Sequence, residues 1–511
     1  MSKNKIFKAT FIIMIVTVFT RCLGLIRDRL VGSTFGAGME SGAYIAAVSV
    51  SEVVFTIVGL AIATTFIPIL SEIKSKQGKN KMFEFSNNII TIIAIICICL
   101  SVLGFLFTKE IVGLIFYNLN LETMELTILL TKISIVNILL LCLKACFASV
   151  LQVCEDFIMP SILGLFFNLP IILYLILFTN VGVIGLTIAN VIGNLLSVLV
   201  QLPSLYKHGF KIKPFIDLKD ERIRRILILI LPVLIGAGAN SLNLIVDKSI
   251  AAVFNEIGGI TIIDFAQKLV IFTNVAITTS IVSVMYPLMA NKLNSGDKKG
   301  FLEHLSKGIV VISLFLIPIM MAFVFLRVEV ISLIFGAGEF DTPETILITS
   351  TVFAAYALQL PFSGARDILN SSLFSMQKTK ITAINGVIGV SINIILSLIL
   401  SKYIGVSGIA IASSIAAAVT AILLFNSTRK LIGDFNAKNM IIKLLKIALA
   451  STIMISTLYI INKIIVVNSD FIILAVNGII GIIIFAIVCK FMKIEEFDEA
   501  TLMITKKLRK R

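Results

Sequence analysis

Charge is what this chain has least of. Only 14% of its 511 residues are Asp, Glu, Lys or Arg, against 58% that are hydrophobic. A soluble protein of this length would cover its core with charge, so the scarcity excludes a soluble globular fold. Histidine is nearly missing: His208 and His304 are the two, both in expected loops and without metal-site neighbours. The seven cysteines (Cys22, Cys97, Cys99, Cys142, Cys146, Cys154 and Cys489) lie in or beside apolar runs, and none has C-x-x-C spacing. A zinc or disulfide framework is therefore excluded. No nucleophile–base pair, phosphate-cradling glycine loop or metal-ligand cluster occurs. An integral-membrane enzyme would also need a catalytic carboxylate on a sizeable outer loop, and the outer loops are short.

What is present is apolar length. The mean hydropathy is +1.05, and runs of about 20 apolar residues, enough to cross the hydrocarbon layer, recur along the chain. About fourteen spans are expected, at 8–33, 42–73, 84–117, 122–152, 158–179, 182–206, 224–252, 260–290, 305–335, 343–375, 380–402, 405–427, 438–462 and 470–491. The fold class expected is thus an all-α polytopic membrane protein. The first run is not a cleavable signal peptide, since it contains Arg21 and no small-residue cleavage site follows. Pro68, Pro287 and Pro361 lie within or near the ends of long spans, where kinks are expected.

The net charge of +15 would suit nucleic acid only if the basic residues shared one soluble face. Instead they fill alternate short loops: Lys74 to Lys81, Lys207 to Arg225, Lys292 to Lys307, Arg429 to Lys438, and the tail Lys506 to Arg511. The opposite loops are poor in Lys and Arg. This is the positive-inside pattern; it places both termini in the cytoplasm and excludes nucleic acid as partner.

The chain repeats itself. Residues 110–116 (Glu-Ile-Val-Gly-Leu-Ile-Phe) return as 329–335 (Glu-Val-Ile-Ser-Leu-Ile-Phe), and Gly182 to Ala189 returns as Gly405 to Ala412. Asn168 and Asn393 stand at nearly equivalent places. The offset spans six helices, an even number, so two like-oriented six-helix lobes are expected with a cavity between them. The expected divisions are a lobe at 1–206, a cytoplasmic linker at 207–223, a second lobe at 224–430, two appended helices within 431–491 and a basic tail at 492–511.

Charged residues inside spans mark the site, because each costs about 2.5–3.5 kcal/mol near the bilayer centre and so faces a wet cavity or a partner. Arg21 and Asp28 are seven residues apart on one helix face, with Arg27 and Arg29 flanking it. Arg29 reads equally as a helix-end residue. Glu52, Lys132, Lys144, Asp247, Lys248, Asp264, Lys268, Arg366 and Asp367 complete the set. Mixed signs favour a carrier cavity over a channel ring. Guanidinium forks suit a diphosphate, and Lys144 and Lys268 add point charges or snorkel to an interface. Arg366 and Asp367 can neutralise each other. Asp247, with Asn393 and Ser413, offers oxygens to a monovalent cation, or else pairs with Lys248.

Thr20-Arg21-Cys22-Leu23-Gly24-Leu25-Ile26-Arg27-Asp28, then Phe35-Gly36-Ala37-Gly38 and Phe66-Ile67-Pro68-Ile69-Leu70, resembles the start of the MurJ/MviN lipid II flippases. These belong to the multidrug/oligosaccharidyl-lipid/polysaccharide exporter superfamily. The resemblance implies a transporter, not an enzyme. It would carry undecaprenyl-diphosphate-linked peptidoglycan precursor (lipid II) from the inner to the outer leaflet of the bacterial cytoplasmic membrane by alternating access. It implies that Arg21, Arg27 and Asp28 line the cavity and that Lys268 stands where a family arginine is common. It further implies a sodium site at Asp247, Asn393, the Ile409 carbonyl and Ser413, and a lipid-tail groove on the appended helices. No cofactor is implied; coupling would come from sodium or membrane potential. Expected partners are the glycolipid, the membrane and cell-wall synthesis enzymes, with the chain a monomer. The sequence departs from the family where a cavity arginine and an acid usually stand: it has Val54 or Phe55, and Gly59. Gly42 and Ser397 replace further acids, while Glu52 is an extra one. These departures keep two alternatives open: an exporter of another polyprenyl-diphosphate glycan, and a cation-coupled drug antiporter, although Arg21 and Arg27 would repel a cationic drug.

Overall fold

A computed structural model of the protein describes residues 3–178, 182–220, 222–223, 243–464, 469–499 and 501, with the side chains of 3–15, 57–64 and 255–256 left out. The described residues are almost wholly helical and contain no strand. Helices dominate because a chain in hydrocarbon must satisfy its backbone polar groups within the segment.

The chain forms two compact units. Unit 1 comprises Met1–Thr261 together with Ala337–Asp341. Its helices are α1 (Lys3–Phe35), α2 (Met39–Gln77), α3 (Lys79–Leu106), α4 (Thr108–Ile115), α5 (Leu121–Ser134), α6 (Asn137–Val153), α7 (Ile158–Leu177), α8 (Val183–Leu199), α9 (Leu202–Lys207) and α10 (243–251). Within it α2 packs on α3, α5 and α6, and α7 packs between α1 and α8. Unit 2 comprises Ile262–Gly336 and Thr342–Arg511. It holds most of α11 (Gly259–Asn294), then α12 (Lys298–Phe325), α13 (Arg327–Phe335), α14 (Pro343–Ala357), α15 (Leu360–Ser375), α16 (Thr379–Ile404), α17 (Val406–Ile432), α18 (Ala437–Ile464) and α19 (Asp470–Phe491). Here α17 packs on α14, α15 and α16, and α18 packs on α12 and α19.

Eleven helical stretches among the described residues are long and apolar enough to cross a membrane. They coincide with eleven of the fourteen expected spans. Of the rest, 8–33 and 42–73 are helical within α1 and α2, and 224–252 lies largely outside the described residues. Wide apolar faces are left uncovered: Ile482 is 71% and Ile487 63% exposed on α19. In water such a surface would aggregate; against lipid tails it is at home.

The internal repeat reappears as geometry. The break between α3 and α4 falls at Phe107 (φ −104°, ψ 25°), and that between α12 and α13 at Leu326 (φ −99°, ψ 27°). In each, the break residue's N–H still bonds four residues back, to Leu103 and Ala322. The fourth expected span of each half is likewise interrupted, at Ile135–Val136 and at Leu358–Gln359. Pro361 opens α15 just after that second interruption, where its missing N–H costs nothing, while Pro68 and Pro287 lie inside α2 and α11.

The described part of the linker is docked, not loose. Asn87 of α3 donates to the Lys211 carbonyl (2.9 Å) and accepts from the Lys213 N–H (3.0 Å). Asn88 does the same with Asp217, at 2.9 Å each way. Phe210 is buried edge-on to Phe83. His208 is half-buried, 3.6 Å from Asp156.

Candidate substrate site

Three of the charge pairs inside the spans are compensated: Arg27 with Asp28, Lys268 with Asp264, and Arg366 with Asp367. Arg27 reaches sideways to its own neighbour: Nε and Nη2 both donate to Asp28 Oδ1, at 3.0 and 2.8 Å. Its Nη1 donates to Asn168 Oδ1 on α7 (3.1 Å), and the guanidinium lies 5.4 Å from the Phe167 ring centroid. Asn168 is held in turn by donating to the Gly164 carbonyl at 2.7 Å. Asp28 is buried, whereas Arg21, seven residues earlier, is exposed.

Beside this pair lies a cavity of about 250 Å³, lined by Val48, Glu52, Phe55 and Thr56 of α2, Asn137, Leu141 and Lys144 of α6, Phe167 of α7, and Asn194 of α8. The Lys144 ammonium lies 5.6 Å from the same Phe167 ring and donates a long 3.4 Å bond to Asn194. Two cations therefore share one aromatic face system, which attracts each through the ring quadrupole. Glu52 is within electrostatic reach of both Arg27 and Lys144.

A buried amide network forms the floor. Asn137 donates to Asn190 (3.0 Å), Asn190 to the Tyr44 hydroxyl (3.0 Å), and Asn194 to Asn137 (3.1 Å). None of these asparagines was singled out from the sequence. The signal was there: Thr187, Asn190, Asn194, Ser197 and Gln201 recur at helical spacing and make one buried polar stripe.

In unit 2, Lys268 is bound one turn back to Asp264 (2.6 Å) and lies 5.8 Å from the Phe265 ring. Arg366 and Asp367 do contact each other, at 3.4 Å. Of the expected cation ligands, Asn393 Oδ1 accepts from Ser397 (3.2 Å) and Ser413 (3.3 Å), and Ile409 is fully buried one turn before Ser413. These are neutral oxygens, the donor class that suits a hard cation. Asp247 is fully buried in unit 1, and Lys248 beside it donates to Ser49 at 2.8 Å.

One more feature escaped the sequence reading. Phe35-Gly36-Ala37-Gly38 occurs a second time, as Phe335-Gly336-Ala337-Gly338. The second copy's Ala337–Asp341 belongs to unit 1, where its 3-10 turn packs on α1. Gly338 has φ +54° and Gly36 φ +61°. A Cβ on Gly338 would overlap the Ser33 carbonyl.

Membrane-length helices with paired charges, and a cavity among them that carries an acid, a cation and two amides, define a multi-span membrane transporter. Comparison with known proteins narrows that class. The sequence profile described as "Lipid II flippase MurJ" matches residues 31–488. The lipid II flippase MurJ of Thermosipho africanus is 29% identical over 453 residues, covering 88% of this chain and 90% of that protein. A probable lipid II flippase MurJ of Buchnera aphidicola (from Acyrthosiphon pisum) is 27% identical, covering 88% and 89%. A solved lipid II flippase MurJ, in an inward closed conformation, superposes with TM-score 0.82 at 27% identity, covering 94% of this chain and 98% of that one. A multidrug-resistance MATE family transporter superposes at TM-score 0.71 with 13% identity, which shows the fold alone. This chain belongs to the lipid II flippase MurJ family.

Proposed function

We propose that this chain flips lipid II, the undecaprenyl-diphosphate-linked peptidoglycan precursor, from the inner to the outer leaflet of the bacterial cytoplasmic membrane. The observation that carries the reading is the family match over residues 31–488. The site chemistry supports it. A transporter of this kind must give a hydrated anionic headgroup a polar path through hydrocarbon while its tail stays in lipid. Arg21, Arg27, Lys144 and Lys268 supply the cations of that path, and Asp28 holds the Arg27 guanidinium in place until substrate arrives. No bond is made or broken, so no group need act as acid, base or nucleophile.

Both termini are assigned to the cytoplasm from the basic loops, and the chain acts as a monomer that hands its cargo to cell-wall synthesis enzymes. In unit 2, Asn393, the Ile409 carbonyl and Ser413 would offer neutral oxygens to a sodium ion, which would supply a coupling charge; in unit 1, Asp247 is the carboxylate to test for sodium dependence. Membrane potential is the second source of drive.

The test is depletion of the resident flippase in a bacterial host, with this chain supplied in its place. Outer-leaflet lipid II and growth are expected to recover, and Arg21→Ala and Arg27→Ala are each expected to prevent recovery. Recovery with both arginines replaced would sink the cavity assignment, and no recovery by the parent chain would sink the function.

A further inference from the structure

The cavity of unit 1 is not a simple anion hole. Among the described residues of unit 1, the cavity's lining carries one cation, Lys144, and one acid, Glu52, and the adjacent Arg27–Asp28 pair is itself neutral, so the formal charges cancel. A diphosphate gains little from a net-neutral pocket. At about 250 Å³ the cavity is also smaller than the roughly 300–1,000 Å³ of a pocket for a drug-sized ligand. It admits one fragment of a large headgroup. Glu52 and Lys144 are set differently from Arg27: Arg27 is fully engaged by Asp28 and Asn168, whereas Lys144 has one long bond to Asn194. Among the described residues, no side chain donates a hydrogen bond to the Glu52 carboxylate, and Glu52 is exposed on the cavity wall. Between them stand amide groups, Asn137 and Asn194, and two apolar rings, Phe55 and Phe167. One free carboxylate, one under-used ammonium and the aromatic rings beside them match a zwitterionic ligand.

We propose that Glu52 and Lys144 form a specificity subsite that reads a primary ammonium on the carried headgroup: Glu52 accepts the ammonium, and Lys144 takes an anionic group beside it. Asn137 and Asn194, bound to each other and to Asn190, form the polar floor beneath that subsite. The diphosphate itself is bound elsewhere along the path. This inference rests on the flippase reading above. Glu52 stands where the chain departs from the family pattern, so the preference is a property of this chain. The ammonium has two sources, an amino-acid side chain of a glycopeptide or a free amino sugar, with one recognition chemistry.

The experiment measures binding to the full chain in lipid nanodiscs. Three probes are used: a polyprenyl-diphosphate glycopeptide with a free side-chain amine, the same molecule with that amine acetylated, and one with the amine moved to the sugar. The parent chain is expected to bind one free-amine form about tenfold tighter than the acetylated form, the scale of one charge-assisted hydrogen bond. Which free-amine probe wins identifies the source. Glu52→Gln is expected to bring that ratio to about one, and Glu52→Asp to retain part of it. A parent ratio near one, with the probes bound, overturns the subsite and leaves the flippase reading standing. An unchanged preference in Glu52→Gln also overturns it. Failure of all three probes to bind the parent overturns both.

Discussion

Arg27 shows how a guanidinium survives inside an apolar bundle: two of its nitrogens go to Asp28, a third to Asn168, and its face to Phe167. A buried pair of this kind adds little net stability, but removing one partner strands the other charge at about 3–5 kcal/mol. Asp28→Ala is therefore expected to lower the thermal unfolding midpoint in detergent sharply, and Arg27→Ala/Asp28→Ala to recover much of the loss. A double variant no more stable than Asp28→Ala would contradict the pairing. Helical periodicity alone put Asp28 with Arg21, seven residues away, and left Arg27 as a flank. What it could not convey is that the arginine side chain is long enough to reach round to its own neighbour. The charged members of the site were legible because charge in an apolar run is conspicuous; which charges pair was not, because pairing depends on rotamers and on the facing helix. A second charge pair lies outside the spans, on the linker. Arg222 holds the Asp220 carboxyl below the usual carboxylate range through a 2.5 Å ion pair. A depressed folded-state value means the pair contributes above the unfolded carboxyl's pKa of about 3.9 and is lost as pH falls through the lower, folded value. Proteolysis of the linker is expected to accelerate only on strong acidification, and Asp220→Asn to remove that pH step. A parent chain cut at the same rate across the acid range would rule the pair out as a linker clamp.

At the scale of elements, α8 is both wall and floor of the cavity. Its outward side is apolar, and its stripe from Thr187 to Ser197 is polar and buried. The helix approaches α7 so closely that a Cβ on Gly193 would overlap the Phe167 carbonyl. Gly193→Ala is thus expected to displace the residue whose ring lies beside Arg27 and Lys144, and to weaken substrate binding while expression and helicity persist. Unaltered binding would mean the α7–α8 approach has slack. The strap Ala337–Asp341 makes a second element-scale case. Phe340 is fully buried, and Gly338 needs a left-handed backbone beside the Ser33 carbonyl. A cysteine at position 340, in a chain lacking its natural cysteines, is expected to resist a water-soluble maleimide. Adding Gly338→Val is expected to expose it; continued protection would show that the strap docks without that backbone. The helices themselves were legible from apolar length, and the duplicated Phe-Gly-Ala-Gly was readable too. Its role as a packing element was not, since nothing local says which helix a five-residue turn will rest on.

At the scale of the whole molecule, the question is what drives net movement. An inside-negative potential is worth about 2.3 kcal/mol per charge per 100 mV, or about fiftyfold in leaflet ratio for each charge carried across. The precursor's diphosphate moves outward down that gradient, provided the protein's own charges do not travel with it. The compensated sets favour this condition. Arg27 with Asp28, and Lys268 with Asp264, are neutral pairs, so their displacement moves little net charge. A chain in proteoliposomes with equal sodium on both sides is therefore expected to accumulate precursor in the outer leaflet when a potassium diffusion potential is imposed. It is expected to equilibrate the leaflets when that potential is collapsed. Sodium enters as a separate arm: Asp247→Asn is compared with the parent across a sodium titration at fixed potential. Accumulation that follows sodium and ignores potential, and that Asp247→Asn abolishes, would move the driving force from the cargo's own charge to the cation site.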